Sequence, residues 1–334
     1  MFRTVAAAGV ALTALTSIAA QAAELRFAFP APPQSLVNVW GFTPWSKEVM
    51  ADSKGTLDIT IHPGPGLGTF ETVYDRTAQG VIDISFGVMS ALSGSHPRTE
   101  VIGIPFEVEN PREGAVALQR LLDKGLLADE FKAVKVLTLF AFGNPALHTR
   151  DKEITSLADI KGMKFGVGNR FDSDVLQLLG ALPQSAVPSD LYMGIRSGLY
   201  NGAMVQWTAF QTFKLAEVSK YHFDFPMGAA GAFVVMNRSS YDKLPPEAKA
   251  AIDKHSGEPF ARRMGEVITK MDQGARDQAK GLGGHTFHAM APGDRQTWAP
   301  KVQPLVDSWT RSTPNGAEVL AAYRKEIAAV RAGK

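Results

Sequence analysis

Apolar and polar residues alternate over Leu25-Arg26-Phe27-Ala28-Phe29 and again over Leu57-Asp58-Ile59-Thr60-Ile61. That period of two marks strands with one buried face. Between them, 36–50 has helical spacing, and Thr43-Pro44 either opens a fresh helix or kinks a longer one. A helix over 70–79 stops at Gly80, and a short apolar strand over 81–86 leads into a small, flexible tail at 87–94. The same rhythm continues. Asn110-Pro111 caps a helix running to about 125, and buried strands are expected at 134–142, 163–167, 203–206 and 230–236. Further helices are expected at 173–179, after Ser189, and at 210–221, while Ser156-Leu157-Ala158-Asp159 reads as a capping box with Asp in place of Glu. Strands alternating with helices point to α/β layers with largely parallel sheets.

From 246 to about 281 the helical pattern is nearly unbroken. Such a helix would be roughly 50 Å long, against about 30 Å for one small domain, so it should lie along two lobes. Further helices fill 293–331. The length agrees, since 334 residues exceed one hydrophobic core. The resulting division is a leader at 1–23, lobe I at 24–143 plus 232–271, and lobe II at 144–231 plus 272–334.

Composition narrows the function. With 35 basic and 33 acidic residues mixed along the chain, no patch favours nucleic acid or an anionic membrane surface. Arg3, an apolar run over 5–18 and Ala20-Gln21-Ala22 form a cleavable export signal, with the mature chain starting at Ala23 or Glu24. The run is shorter than the ~20 residues of a spanning helix. There is no cysteine, which removes disulfides, thiol nucleophiles, Cys-based metal sites and a lipid anchor.

Motifs for catalysis are missing. Gly64-Pro65-Gly66-Leu67-Gly68 is a turn rather than a phosphate cradle, because proline removes a donor and no Lys-Ser/Thr follows. Gly166-Val167-Gly168 lacks the third glycine of a dinucleotide fingerprint. His285 and His288 fall on opposite faces of a short strand, which disfavours chelation. Neither HExxH nor a Gly-x-Ser-x-Gly elbow occurs. No cofactor, metal or catalytic group is expected.

Several segments in fixed order resemble the substrate-binding subunit of tripartite ATP-independent periplasmic (TRAP) transporters. They are the strand and loop from Gly55 to Gly68, Gln79-Gly80-Val81-Ile82-Asp83-Ile84, Glu100-Val101-Ile102-Gly103-Ile104-Pro105-Phe106, Leu157-Ala158-Asp159-Ile160-Lys161-Gly162-Met163-Lys164-Phe165, Ser197 to Gly202, and Phe213 to Tyr221. Met236-Asn237 and Leu244-Pro245 complete the order. The resemblance implies a two-lobed periplasmic binding protein with a mostly parallel sheet in each lobe and a long helix spanning both. It implies capture of a small organic acid by lobe closure and delivery to membrane permease subunits. It also implies an arginine on the strand after Lys161-Gly162 that pairs with a ligand carboxylate; here that position is Gly166, and Arg170 is the nearest substitute. Asn201 stands where the family has aspartate. Met204, Val205 and Gln206 supply no carboxylate for the cation some members hold.

In open α/β sheets, ligands sit beyond the carboxyl ends of strands. That rule nominates Gln34 and Ser35, Phe86 and Met89, Phe142, Gly143 and Asn144, then Gln206, Trp207 and Phe210, with Phe233 on the crossing strand. Asn144 and Gln206 would orient the ligand. Phe86, Trp207 and Phe210 would wall it, each with plain core packing as its alternative. Trp207 is the first choice. A periplasmic sensor, or an enzyme on a similar scaffold, remains open.

Overall fold

The computed structural model describes residues 22–92, 94–291 and 293–334. The expected export signal therefore lies almost wholly outside the described residues. Eleven strands are assigned among them: β1 (Ala23–Phe29), β2 (Leu57–Pro63), β3 (Ile84–Val88), β4 (Val134–Ala141), β5 (Pro145–Thr149), β6 (Lys164–Val167), β7 (Leu182–Ser185), β8 (Gly202–Gln206), β9 (Tyr221–Asp224), β10 (Gly231–Asn237) and β11 (Thr286–Ala289). They form two sheets, ordered β2-β1-β3-β10-β4 and β11-β9-β5-β8-β6-β7.

Each sheet is parallel except for one reversed strand. In the first, β10 runs antiparallel to β3 and β4; in the second, β5 runs antiparallel to β8 and β9. The reversal follows from the two crossings. β4 leaves the first sheet at its carboxyl end, and three residues later β5 enters the second sheet from that same side. β9 returns to β10 in the same manner, so both carboxyl edges face one gap.

Phe27, Phe42, Trp45, Phe86, Phe140 and Phe260 are buried in the core of the first lobe, with Trp45 and Phe260 stacked 5.0 Å apart. Phe165, Leu147, Met204 and Phe223 belong to the core of the second. Phe171 of the second lobe inserts into the first core, 6.4 Å from Trp309. In return Phe106, held at φ +66, packs into the second core, and its carbonyl accepts from Arg295 Nη2 at 2.7 Å. A bulky residue with positive φ is strained, so this inward strap is held by its surroundings.

The structure changes several expectations, and the helix expected over 210–221 is Trp207–Thr212 and a short turn at Leu215–Glu217, with β9 beginning at Tyr221. The helix expected from 246 to 281 is two, Pro246–Lys254 and Glu258–Lys280. Gly257 at φ +68 breaks it, its N–H donating to Leu137 O at 2.6 Å, and Pro259 is tolerated because it falls in a first turn. The second helix, about 35 Å long at ~1.5 Å per residue, still touches both lobes, packing on β4 and on the helix after β8. The segment before Pro44 is helical with wider winding over Val37–Phe42, so proline sits within one continuous helical stretch ending at Asp52. The tail expected in lobe II divides: helix Gly316–Arg331 packs on helix Pro111–Asp123 of the first lobe. Arg120 Nη1 reaches Glu326 at 3.2 Å and Arg331 Nη2 reaches Glu113 at 2.8 Å, ion pairs that tie the chain end to that lobe. No helix of the described residues is long and apolar enough to cross a membrane.

Candidate functional site

The carboxyl edges of the two sheets enclose a cavity of about 110 Å³. One water needs ~10–15 Å³ on the same measure, so the space holds about seven to eleven water-sized groups. The first lobe contributes Phe29 from β1, Phe70, and Phe86 from β3. The Phe86 ring lies 5.4 Å from Phe29 and 6.0 Å from Phe70, which fixes an apolar floor. Phe142 and Ala230 come from the two crossings, and Leu191, Met204 and Phe213 line the second lobe.

Polar groups cluster after β6 and β8. Val167 pairs with Met204, so Gly168 to Asp172 lies beside Val205 to Thr208. Asn169 caps helix Arg170–Leu178, its Oδ1 accepting from Asp172 N–H at 2.8 Å. Such an N-cap leaves first-turn N–H groups pointing outward, and they favour an anion. Arg170 is the one lysine or arginine in the wall among the described residues. Its half-exposed side chain reaches Asp174 at only 3.5 Å, which leaves it able to turn toward a ligand. Asp172, buried in the same wall, is pushed well above the usual carboxylate range by burial, and the Asn169 amide offsets part of this. Gln206 is 8% exposed, and among the described residues its amide has no hydrogen-bond partner, so it opens on the cavity.

Of the residues nominated from the sequence, Phe86, Gln206 and Arg170 meet in this wall, together with Ser35, Met89 and Phe142. Others lie elsewhere. Gln34 is exposed. Asn144 Nδ2 donates to Val108 O at 2.9 Å in a separate hollow beside Phe106 and Arg295. Phe233 is buried against Tyr74, its ring filling the space above Gly87. Phe210 stacks on His148 at 4.6 Å. Trp207 is 1% exposed and points into the helix layer, where Nε1 donates to Asp224 Oδ1 at 2.8 Å and Arg276 lies 5.1 Å over the ring. Reversal of direction from one residue to the next explains the split: Gln206 ends β8 facing the gap, and Trp207 starts the following helix facing away.

Gly166 does not open on the cavity. A Cβ there would stand 2.6 Å from Leu191 Cδ2 and 3.1 Å from Tyr200, so those side chains fill the room an arginine would need. Sequence reasoning missed Asn169 and Asp172, although an Asn followed three residues later by Asp, directly after a strand, is a helix-start signal.

At the crossing from β4 to β5, a Cβ on Gly143 would stand 2.9 Å from Asp272 Oδ2. Burial holds the Asp272 carboxyl up at about 6, against the pull of Arg276.

The model of the family described as bacterial extracellular solute-binding protein, family 7, matches residues 31–312. Among solved structures, the chain is similar to a marine metagenome TRAP solute-binding protein specific for aromatic acids, crystallised with 3-hydroxybenzoate. The TM-score is 0.88 and the identity 27%, over 92% of this chain and 98% of that one. It is also similar to a TRAP solute-binding protein of Rhodoferax ferrireducens T118 with copurified benzoate, at TM-score 0.87 and 28% identity over 91% and 97% of the two chains. The C4-dicarboxylate-binding periplasmic protein DctP of Rhodobacter capsulatus is 22% identical over 292 residues, covering 79% of this chain and 87% of that protein.

Proposed function

The chain belongs to bacterial extracellular solute-binding protein family 7, and from that footing we propose that it is a TRAP-type receptor whose cleft captures a small aromatic monocarboxylate. One observation carries this reading: a cavity floored by Phe29, Phe70 and Phe86 has, among the described residues, a single lysine or arginine, Arg170, at the capped start of a helix. The rings suit a flat apolar body. Arg170 and the first-turn N–H groups suit one carboxylate, in place of the strand arginine that Gly166 lacks. Room for about seven to eleven small groups suits a substituted benzoate, and the two similar structures hold 3-hydroxybenzoate and benzoate.

The protein binds without catalysis. Ligand contacts made by both lobes favour the closed form, which is the form presented to membrane permease subunits. The moving halves are 24–143 with 232–271 and 144–231 with 272–312, the C-terminal helix travelling with the first. The chain is exported to the periplasm with residues 1–23 removed as a leader.

Titration calorimetry with benzoate tests the site. Arg170→Ala should weaken binding by about 10- to 150-fold, the ~1.5–3 kcal/mol of a hydrogen bond to a charged group. Equal affinity in the variant removes Arg170 from the site.

A further inference from the structure

Asp172 is 2% exposed, lines the cavity, and forms no ion pair with a lysine, arginine or histidine among the described residues. Its environment is asymmetric. Oδ2 accepts from Asn169 Nδ2 at 2.6 Å, and the Asp172 N–H bonds back to Asn169 Oδ1 at 2.8 Å, so the side chain is clamped from one side. Among the described residues Oδ1 meets no donor, yet it is not among the sealed, unpartnered atoms, which leaves the cavity as its open side. Three other charged groups stand near: Arg170, paired with Asp174 on the same helix, and Glu100 on the facing wall.

An ionised Asp172 would put a charge with one amide donor into a mostly apolar cavity, next to the place assigned to an anion. Both effects favour the proton-bearing form, and burial acts in that direction on this group. The Asn169 amide marks Oδ2 as the carbonyl oxygen, so the proton resides on Oδ1 and faces the solute.

We propose that Asp172 is a specificity-determining residue, a neutral carboxyl whose Oδ1–H donates a hydrogen bond to the bound carboxylate. The proposal rests on the reading of the cleft as a carboxylate site. A hydroxyl donating to a carboxylate makes a short charge-assisted bond, which serves an anion better than a neutral end group. One cation, one helix start and one neutral carboxyl then face the carboxylate, and a protonated Asp172 adds no repulsion of its own.

The test has two arms. Infrared difference spectra of ligand-free wild type minus Asp172→Asn, at neutral pH, should show a protonated-carboxyl band that is missing from the variant. Benzoate titrations should then separate two substitutions. Asp172→Asn keeps a neutral donor and an acceptor for Asn169 and should bind within about threefold of wild type, whereas Asp172→Ala should lose about tenfold or more. Melting curves confirm that both variants are folded. A missing band overturns the proposal, as does an Asn variant that weakens binding as much as Ala. If wild type itself fails to bind benzoate, the ligand class of the preceding section fails, and the infrared band still decides the state of Asp172.

Discussion

Replacing Trp207 by alanine should lower stability strongly rather than affect affinity alone. The indole is 1% exposed and edge-on to His148 at 4.7 Å and to Phe210 at 5.1 Å, with Phe287 stacked at 5.9 Å. Truncating a buried tryptophan costs about 3–5 kcal/mol, part of it from the cavity left behind. Asp224 also loses its 2.8 Å donor but keeps its pairing with Arg276, so little is added. At ~2–4 °C per kcal/mol in a unit of 150–250 residues, the melting temperature falls by about 6–20 °C. Trp207→Phe keeps most of the apolar contact and should cost only about 1–2 kcal/mol, mainly from the smaller ring volume. Calorimetric melts of both ligand-free variants, followed by benzoate titration well below each melting point, separate the effects. An alanine variant that melts like wild type yet binds more weakly would place the indole in the cavity and refute this reasoning.

Two further results follow from the same geometry. Gly166→Arg should destabilise by about 1–3 kcal/mol through overpacking against Leu191 and Tyr200, and adding Leu191→Ala should restore part of that in urea unfolding; a neutral single variant would contradict it. The second concerns acid. His148, His222 and His285 form a chain with Nδ1···Nδ1 and Nε2···Nδ1 separations of 2.9 Å, and burial holds His222 down at about 3 and, elsewhere, His96 at about 4. Because these folded values lie below the unfolded one near 6.5, the unfolded chain binds more protons, and stability is lost as pH falls from about 6.5 toward those values. Asp272, raised to about 6, acts in the opposite sense, so the check is the difference between wild type and His222→Gln: the variant should lose less melting temperature between pH 7 and 5, and parallel curves would contradict it.

The fold was legible wherever burial left a local pattern. β1 and β2 alternate, and β3 and β10 are short apolar runs, so the layers and the strand-tip location of the site could be read directly. β5 and β9 were not legible, because His148 and Thr149 in one, and His222 and Asp224 in the other, interrupt the apolar runs that mark β3, β8 and β10. Gly257-Glu258-Pro259 was a readable helix break, outweighed by strong helical spacing on both sides. The lobe to which the C-terminal helix belongs depends on pairs such as Arg120 with Glu326, more than two hundred residues apart, and no local signal reports them. At the site, the strand-tip rule located Phe86 and Gln206 but could not say which neighbour turns inward, and so Trp207 was favoured over the polar turn at Asn169–Asp172.

A crystal structure of the mature protein grown with benzoate tests the central claim most directly. Density for the ring should lie against Phe86, with the carboxylate at the Asn169–Asp172 turn within hydrogen-bond reach of Arg170. A ligand bound outside this gap, or lying within it with its carboxylate directed away from Arg170, would contradict the claim.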